Sequence, residues 1–98
     1  MAAKLLAPVH PGEILREEFM RPLELSSNAL ARAIGVTPAR VNDIASEKRG
    51  ITADSALRLG RYFGTTPELW MNLQKRYELE VARRELSGKL VHIRPRAA

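Results

Sequence analysis

Apolar side chains recur at helical intervals along most of this chain, and the gaps between the runs hold residues that cap and turn helices. The clearest case runs from Ser27 to Ser46, SNALARAIGVTPARVNDIAS. Leu30, Ala31 and Ile34 share one helical face; Val41, Ile44 and Ala45 share another. Gly35 lies between them, where a chain leaving a helix often takes a positive φ. Thr37 is placed to cap the second helix, with Pro38 in its first turn, where a missing N–H costs nothing. Small Ala31 lets the second helix cross close over the first. The stretch predicts two short helices joined by a tight turn, a helix-turn-helix.

The same reading extends in both directions. Residues 1–9 are expected to be a flexible arm. His10-Pro11-Gly12-Glu13 opens a first helix, with Ile14, Leu15, Phe19 and Met20 on one face and Pro22 ending it near Arg21. Leu23 and Leu25 are expected to turn into the core, and Ser26 or Ser27 to cap the next helix. Beyond the turn Glu47-Lys48-Arg49-Gly50, Thr52 caps a helix over residues 53–63, with Ala56, Leu57, Leu59, Gly60 and Phe63 inward and Gly64 ending it. Thr66 and Pro67 open a long last helix on which Leu69, Trp70, Leu73, Tyr77 and Val81 recur. It is expected to reach about Leu86 and to break at Ser87-Gly88. In the segment after it, Val91 and Ile93 alternate with His92 and Arg94. That pattern fits an extended arm, a short strand pairing with another subunit, or disorder. The whole is an all-α, five-helix domain over residues 10–86, with a long C-terminal helix and a short, basic, extended tail over 87–98.

Composition narrows the class. Hydrophobic residues make up 45% of the 98, which argues against wholesale disorder. With no cysteine there is no disulfide framework and no thiolate metal site. No apolar run approaches a membrane span, and the apolar stretch at the start is broken too soon by Pro8 for a secretion signal. A cytoplasmic protein is expected, with no membrane partner. The net charge of +5 favours a polyanion. Residues 27–50 carry four basic side chains against two acidic, and residues 87–98 carry three basic and none acidic, whereas residues 1–26 are net negative. The excess charge thus includes the helix-turn-helix and the tail.

Enzyme chemistry finds no constellation. His10 and His92 have no partner at ligand spacing, there is no phosphate loop or dinucleotide fingerprint, and Glu17-Glu18 and Glu78/Glu80 read as solvated helix faces. No catalytic residue, metal or cofactor is expected. DNA binding has a specific mechanism, because the second helix of such a motif enters the major groove with its N-terminal residues toward base edges. Thr37, Pro38, Ala39 and Arg40 sit there, with Asn42 and Asp43 one turn on. Arg40 is the candidate for bidentate contact to guanine, and Asn42 for adenine; Thr37 or Ala39 would touch a thymine methyl. Asp43 either accepts from cytosine or orients Arg40. Ser27, Asn28, Lys48 and Arg49 are candidate phosphate contacts. One motif reads only a few base pairs, so a dimer is expected. Trp70, Tyr77, Val81, Val91 and Ile93, on the surplus helix and tail, are the candidates for a dimer or partner interface.

Several motifs in order, His10-Pro11-Gly12-Glu13-Ile14-Leu15, LARAIGVTPARVNDI, Ile51-Thr52-Ala53-Asp54-Ser55-Ala56-Leu57-Arg58-Leu59 and Leu69-Trp70-Met71-Asn72-Leu73-Gln74-Lys75-Arg76-Tyr77, resemble the HigA-type (VapI) antitoxins. These belong to the lambda-repressor-like (XRE) helix-turn-helix class. The match covers about residues 8–86; Glu78 is a conservative departure, where the family pattern has Asp after the tyrosine. The resemblance implies a dimer that binds operator double-stranded DNA before its own operon and represses it. It also implies a partner toxin of the RelE-like ribonuclease class, which cuts messenger RNA. By the same resemblance Thr37, Pro38, Ala39, Arg40 and Asp43 read bases, and Ser27, Lys48 and Arg49 hold phosphates. The alternatives are a stand-alone regulator of the same class with no toxin, and an interaction module that keeps the fold but no longer reads DNA.

Overall fold

The computed structural model describes residues 7–97. Most of the expected arm, residues 1–6, lies outside the described residues. Helix α1 starts as an α-helix, Pro11–Ile14, and continues as a π-helical segment, Leu15–Met20. His10 caps it, its Nδ1 accepting from the Gly12 N–H at 2.8 Å. Periodicity alone predicts a plain helix here. The wider turn is closed by i→i+5 bonds, such as Arg21 N–H to the Arg16 carbonyl at 3.0 Å. Then come α2 (Ser27–Ile34), α3 (Pro38–Ala45), α4 (Ala53–Phe63) and α5 (Pro67–Leu90). The five helices are those expected, and among the described residues there is no strand.

Each helix is started by the side chain its sequence offers. Of the two candidate serines Ser26 is the cap of α2, its Oγ accepting from the Ala29 N–H at 3.0 Å. Thr37, Thr52 and Thr66 cap α3, α4 and α5 in the same way. Gly35 ends α2 with φ 74°, a left-handed conformation that sets the tight turn.

The core is built around Trp70, which is fully buried. Phe19 and Phe63 flank it, with ring centroids 5.1 and 6.4 Å away. Leu15, Leu30, Ala31, Val41, Ile44, Ile51 and Leu59 complete it. Helix α2 packs on α3, α4 on α5, and α1 touches both α3 and α5. The approach of α1 to α3 is very close: a Cβ on Gly12 would stand 1.8 Å from the carbonyl oxygen of Ile44. Only glycine fits there without moving the helix.

Three expectations fail. Leu57 is 61% exposed and Leu23 62% exposed, so neither joins the core. Ala56, Leu59, Gly60 and Phe63 already define the inward arc of α4, and Leu57 falls off its edge. Leu23 lies in the turn after α1, where the chain bends through Glu24 at φ 50°. The last helix does not break at Ser87-Gly88 but runs on to Leu90. Gly88 keeps a helical backbone, because the residues on either side continue the ladder and a single glycine weakens a helix without ending it. Val91 and Ile93 accordingly follow a helix end and a turn, not a strand.

Candidate nucleic-acid interface

Helix α3 turns Val41, Ile44 and Ala45 into the core, which leaves its other face and its N-terminus at the surface. Thr37, Pro38, Ala39 and Asn42 are exposed there, and Arg40 and Asp43 are half-buried. The cap matters twice. The Thr37 Oγ1 accepts from the Arg40 N–H at 3.2 Å, which fixes the first turn. The remaining N–H groups and the helix dipole give this end a partial positive charge.

Arg40 is held from outside its own helix. Its Nη1 donates to the Asp54 carboxylate, in the first turn of α4, at 2.7 Å. Asp54 accepts in turn from Nε of Arg58 at 2.8 Å. Nη1 of Arg58 donates to the carbonyls of Ile34 and Gly35, at 2.8 and 3.3 Å. A single chain of charge-assisted bonds thus joins the C-terminus of α2, the start of α4 and the Arg40 side chain of α3. The hydrogen bond from Arg40, then that from Arg58, holds the Asp54 carboxyl below its ordinary range, so it stays charged. Asp43 does not orient Arg40. Its carboxylate faces Arg49 at 3.8 Å instead.

The other end of α3 is fixed by α1. Arg16, in the π-helical segment, donates through Nη1 to the carbonyl of Ala45 and lies 3.4 Å from the Glu47 carboxylate. Glu47 takes φ 67°, and the backbone N–H groups of Lys48 and Arg49 fold back onto the carbonyl of Asp43 at 2.8 and 3.2 Å. This tight fold sets Lys48 and Arg49 on the surface immediately after α3. Ile51 is then fastened to α5: its N–H donates to Oε1 of buried Gln74 at 2.6 Å, and Gln74 Nε2 donates to Glu78 at 2.8 Å. That bond keeps the Glu78 carboxyl below its ordinary range. Glu78, the departure from the family pattern, thus serves as a carboxylate acceptor in this chain.

At the start of α2, Asn28 is exposed and Ser27 half-buried. The interface candidates divide. Trp70 is core, its Nε1 donating to Thr65 Oγ1 at 2.9 Å, and no partner can reach it without unfolding the domain. Tyr77 is half-buried against His10, ring centroids 4.8 Å apart. Val81 is half-buried, while Val91 and Ile93 are exposed. Local periodicity misses Arg16, Asp54, Arg58 and Gln74. Only the acid–base spacing of Asp54 and Arg58 on one helix was a local signal; the other contacts join residues far apart in the chain.

No cluster of His, Asp or Glu among the described residues could hold a metal ion. No described helix is long and apolar enough to cross a membrane.

Comparison with known proteins places this geometry. The Helix-turn-helix family matches residues 15–70. Virulence-associated protein I of Dichelobacter nodosus is 54% identical over 79% of this chain and 71% of its own length. Antitoxin HigA-1 of Vibrio cholerae is 34% identical over 90% of this chain and 83% of its own. The antitoxin HigA of Pseudomonas aeruginosa, solved with the higBA promoter, is 49% identical, with a TM-score of 0.88 over 92% of this chain and 99% of that one. This is a regulator fold rather than an enzyme. The chain belongs to the HigA (VapI) antitoxin family of DNA-binding helix-turn-helix proteins.

Proposed function

We propose that this chain is the antitoxin of a toxin–antitoxin pair: it binds operator DNA as a dimer, represses its own operon and neutralises a RelE-like, mRNA-cleaving toxin. The observation that carries the DNA reading is the exposed N-terminal face of α3, with Arg40 supported from α4 and with Lys48 and Arg49 on the surface after the helix's other end. Arg40 contacts guanine, Asn42 adenine, and Thr37, Pro38 and Ala39 fit against neighbouring base edges. Asp43, on the same face, accepts from cytosine. Ser27, Asn28, Lys48 and Arg49 lie along the phosphates on either side. The related antitoxin solved with the higBA promoter supports an operator as the DNA partner.

The dimer reading rests on α5. Leu79, Leu86 and Leu90 are exposed along it, followed by Val91 and Ile93. Apolar side chains at seven- and four-residue spacing on one face of a projecting helix suit a second copy. The toxin comes from family resemblance and has no assigned surface here.

The test is binding to the DNA upstream of the chain's own gene. Arg40→Ala should lose about 1–3 kcal/mol of operator affinity. Unchanged affinity would remove α3 as the reading surface. Co-purification with the product of the adjacent gene tests the toxin. Operator binding with no such partner would leave a stand-alone regulator.

A further inference from the structure

The chain of bonds from α2 to α3 has a consequence for how operator and other DNA are told apart. An arginine that reads guanine must present two adjacent N–H groups in one plane. A free arginine on a helix surface carries the same pair but does not hold it in one place. It samples many rotamers, and its charge pairs as readily with any phosphate. Arg40 is not free. Its Nη1 is taken by Asp54, and the Nε–Nη2 edge is left for a base. Asp54 is itself held by Arg58, and Arg58 is pinned to the carbonyls that end α2.

We propose that Asp54 is a positioning residue that sets operator specificity, holding Arg40 for guanine and away from phosphate. This rests on the DNA reading above. Asp54 acts in two ways at once. It fixes the guanidinium before DNA arrives, so less side-chain freedom is lost on reading the base. To swing toward a phosphate, Arg40 must give up a charge-assisted bond, and the carboxylate it leaves behind repels the backbone. Specific binding is favoured and non-specific binding is opposed by the same group. The site needs the carboxylate charge, which the two arginines keep in place.

The experiment compares operator and scrambled duplex by fluorescence anisotropy at fixed salt, for the native chain, Arg40→Ala, Asp54→Asn and the double variant. Thermal melting confirms that each is folded at the binding temperature. Asp54→Asn should weaken operator binding while leaving scrambled DNA bound equally or more tightly, so that the ratio of the two affinities falls about tenfold, near 1.4 kcal/mol. In the Arg40→Ala background the same change should leave the ratio unmoved, since there is nothing left to position. Arg58→Lys, which keeps the charge but loses the planar fork, should lower the ratio in the same direction and serves if Asp54→Asn melts too low. If Arg40→Ala weakens the operator complex but Asp54→Asn and Arg58→Lys leave the ratio unchanged, the positioning role is overturned while the reading helix stands. A fall in the ratio that persists without Arg40 also overturns it. If Arg40→Ala has no effect on operator affinity, both readings fail together.

Discussion

His10 opens the first helix by accepting a hydrogen bond on Nδ1, and it is buried against Tyr77. Only a neutral ring with a bare Nδ1 can accept. Burial lowers its pKa from the ordinary 6.5, and the nearby Glu47 charge offsets this only in part. The folded pKa thus lies below the unfolded one, so the unfolded chain binds the proton more readily. The stability this residue contributes is complete above about pH 6.5 and is lost as pH falls through the folded value. Denaturant midpoints taken from pH 8 down to pH 5 should therefore fall below pH 6.5, and His10→Asn, which keeps an uncharged cap, should remove that part of the fall. An equal fall in His10→Asn would assign it to other groups. At this scale the sequence was informative where the chemistry is local. Thr37, Thr52, Thr66, Gly35 and Gly64 are read from neighbours one to three residues away, and each does what its type suggests. Nothing beside Asp54 in the sequence marks its partner, because Arg40 is on another helix.

Whole elements were legible wherever an apolar arc and two end signals agreed. Helices α2 and α4 begin and end as their caps and glycines require; α3 begins at its Thr37 cap, but no glycine ends it, and Glu47 takes the left-handed conformation after it. Disagreement arose where a signal had no packing behind it. The π-helical widening of α1 places Arg16 on the end of α3, and nothing within residues 11–20 foretells a partner at Ala45 or Glu47. At the other end of the chain Ser87-Gly88 has the composition of a stop, yet Gly88 has a helical backbone with open space where a side chain would go. Gly88→Ala should accordingly raise helicity, with a local gain of up to about 1 kcal/mol. Slower amide exchange at Leu90 and Val91 would register it. Faster exchange there would mean that the glycine ends the helix in solution.

Taken as a whole, the molecule separates two jobs by place. The packed part holds α3 between three anchors: Arg16 at its end, Asp54 at its start and Gln74 just beyond it. The far half of α5 takes no part in the core, and residues 83–97 are all exposed. If that half carries the dimer contact, Leu86→Lys combined with Leu90→Lys should yield a folded monomer by light scattering, with unchanged melting of the packed part and a weaker operator complex. Dimers persisting in that variant would move the contact elsewhere. The exposed half also has a chemical vulnerability. An exposed segment that adds little to the core opens at small cost, and proteases cleave such segments first. Arg83, Arg84 and Lys89 lie within it, each a cutting point for an enzyme that recognises basic residues. A cut at Arg83 or Arg84 would shed Leu86, Leu90, Val91 and Ile93 and leave the packed part whole, so that a protease would strip most of the exposed apolar surface of the tail without unfolding the protein.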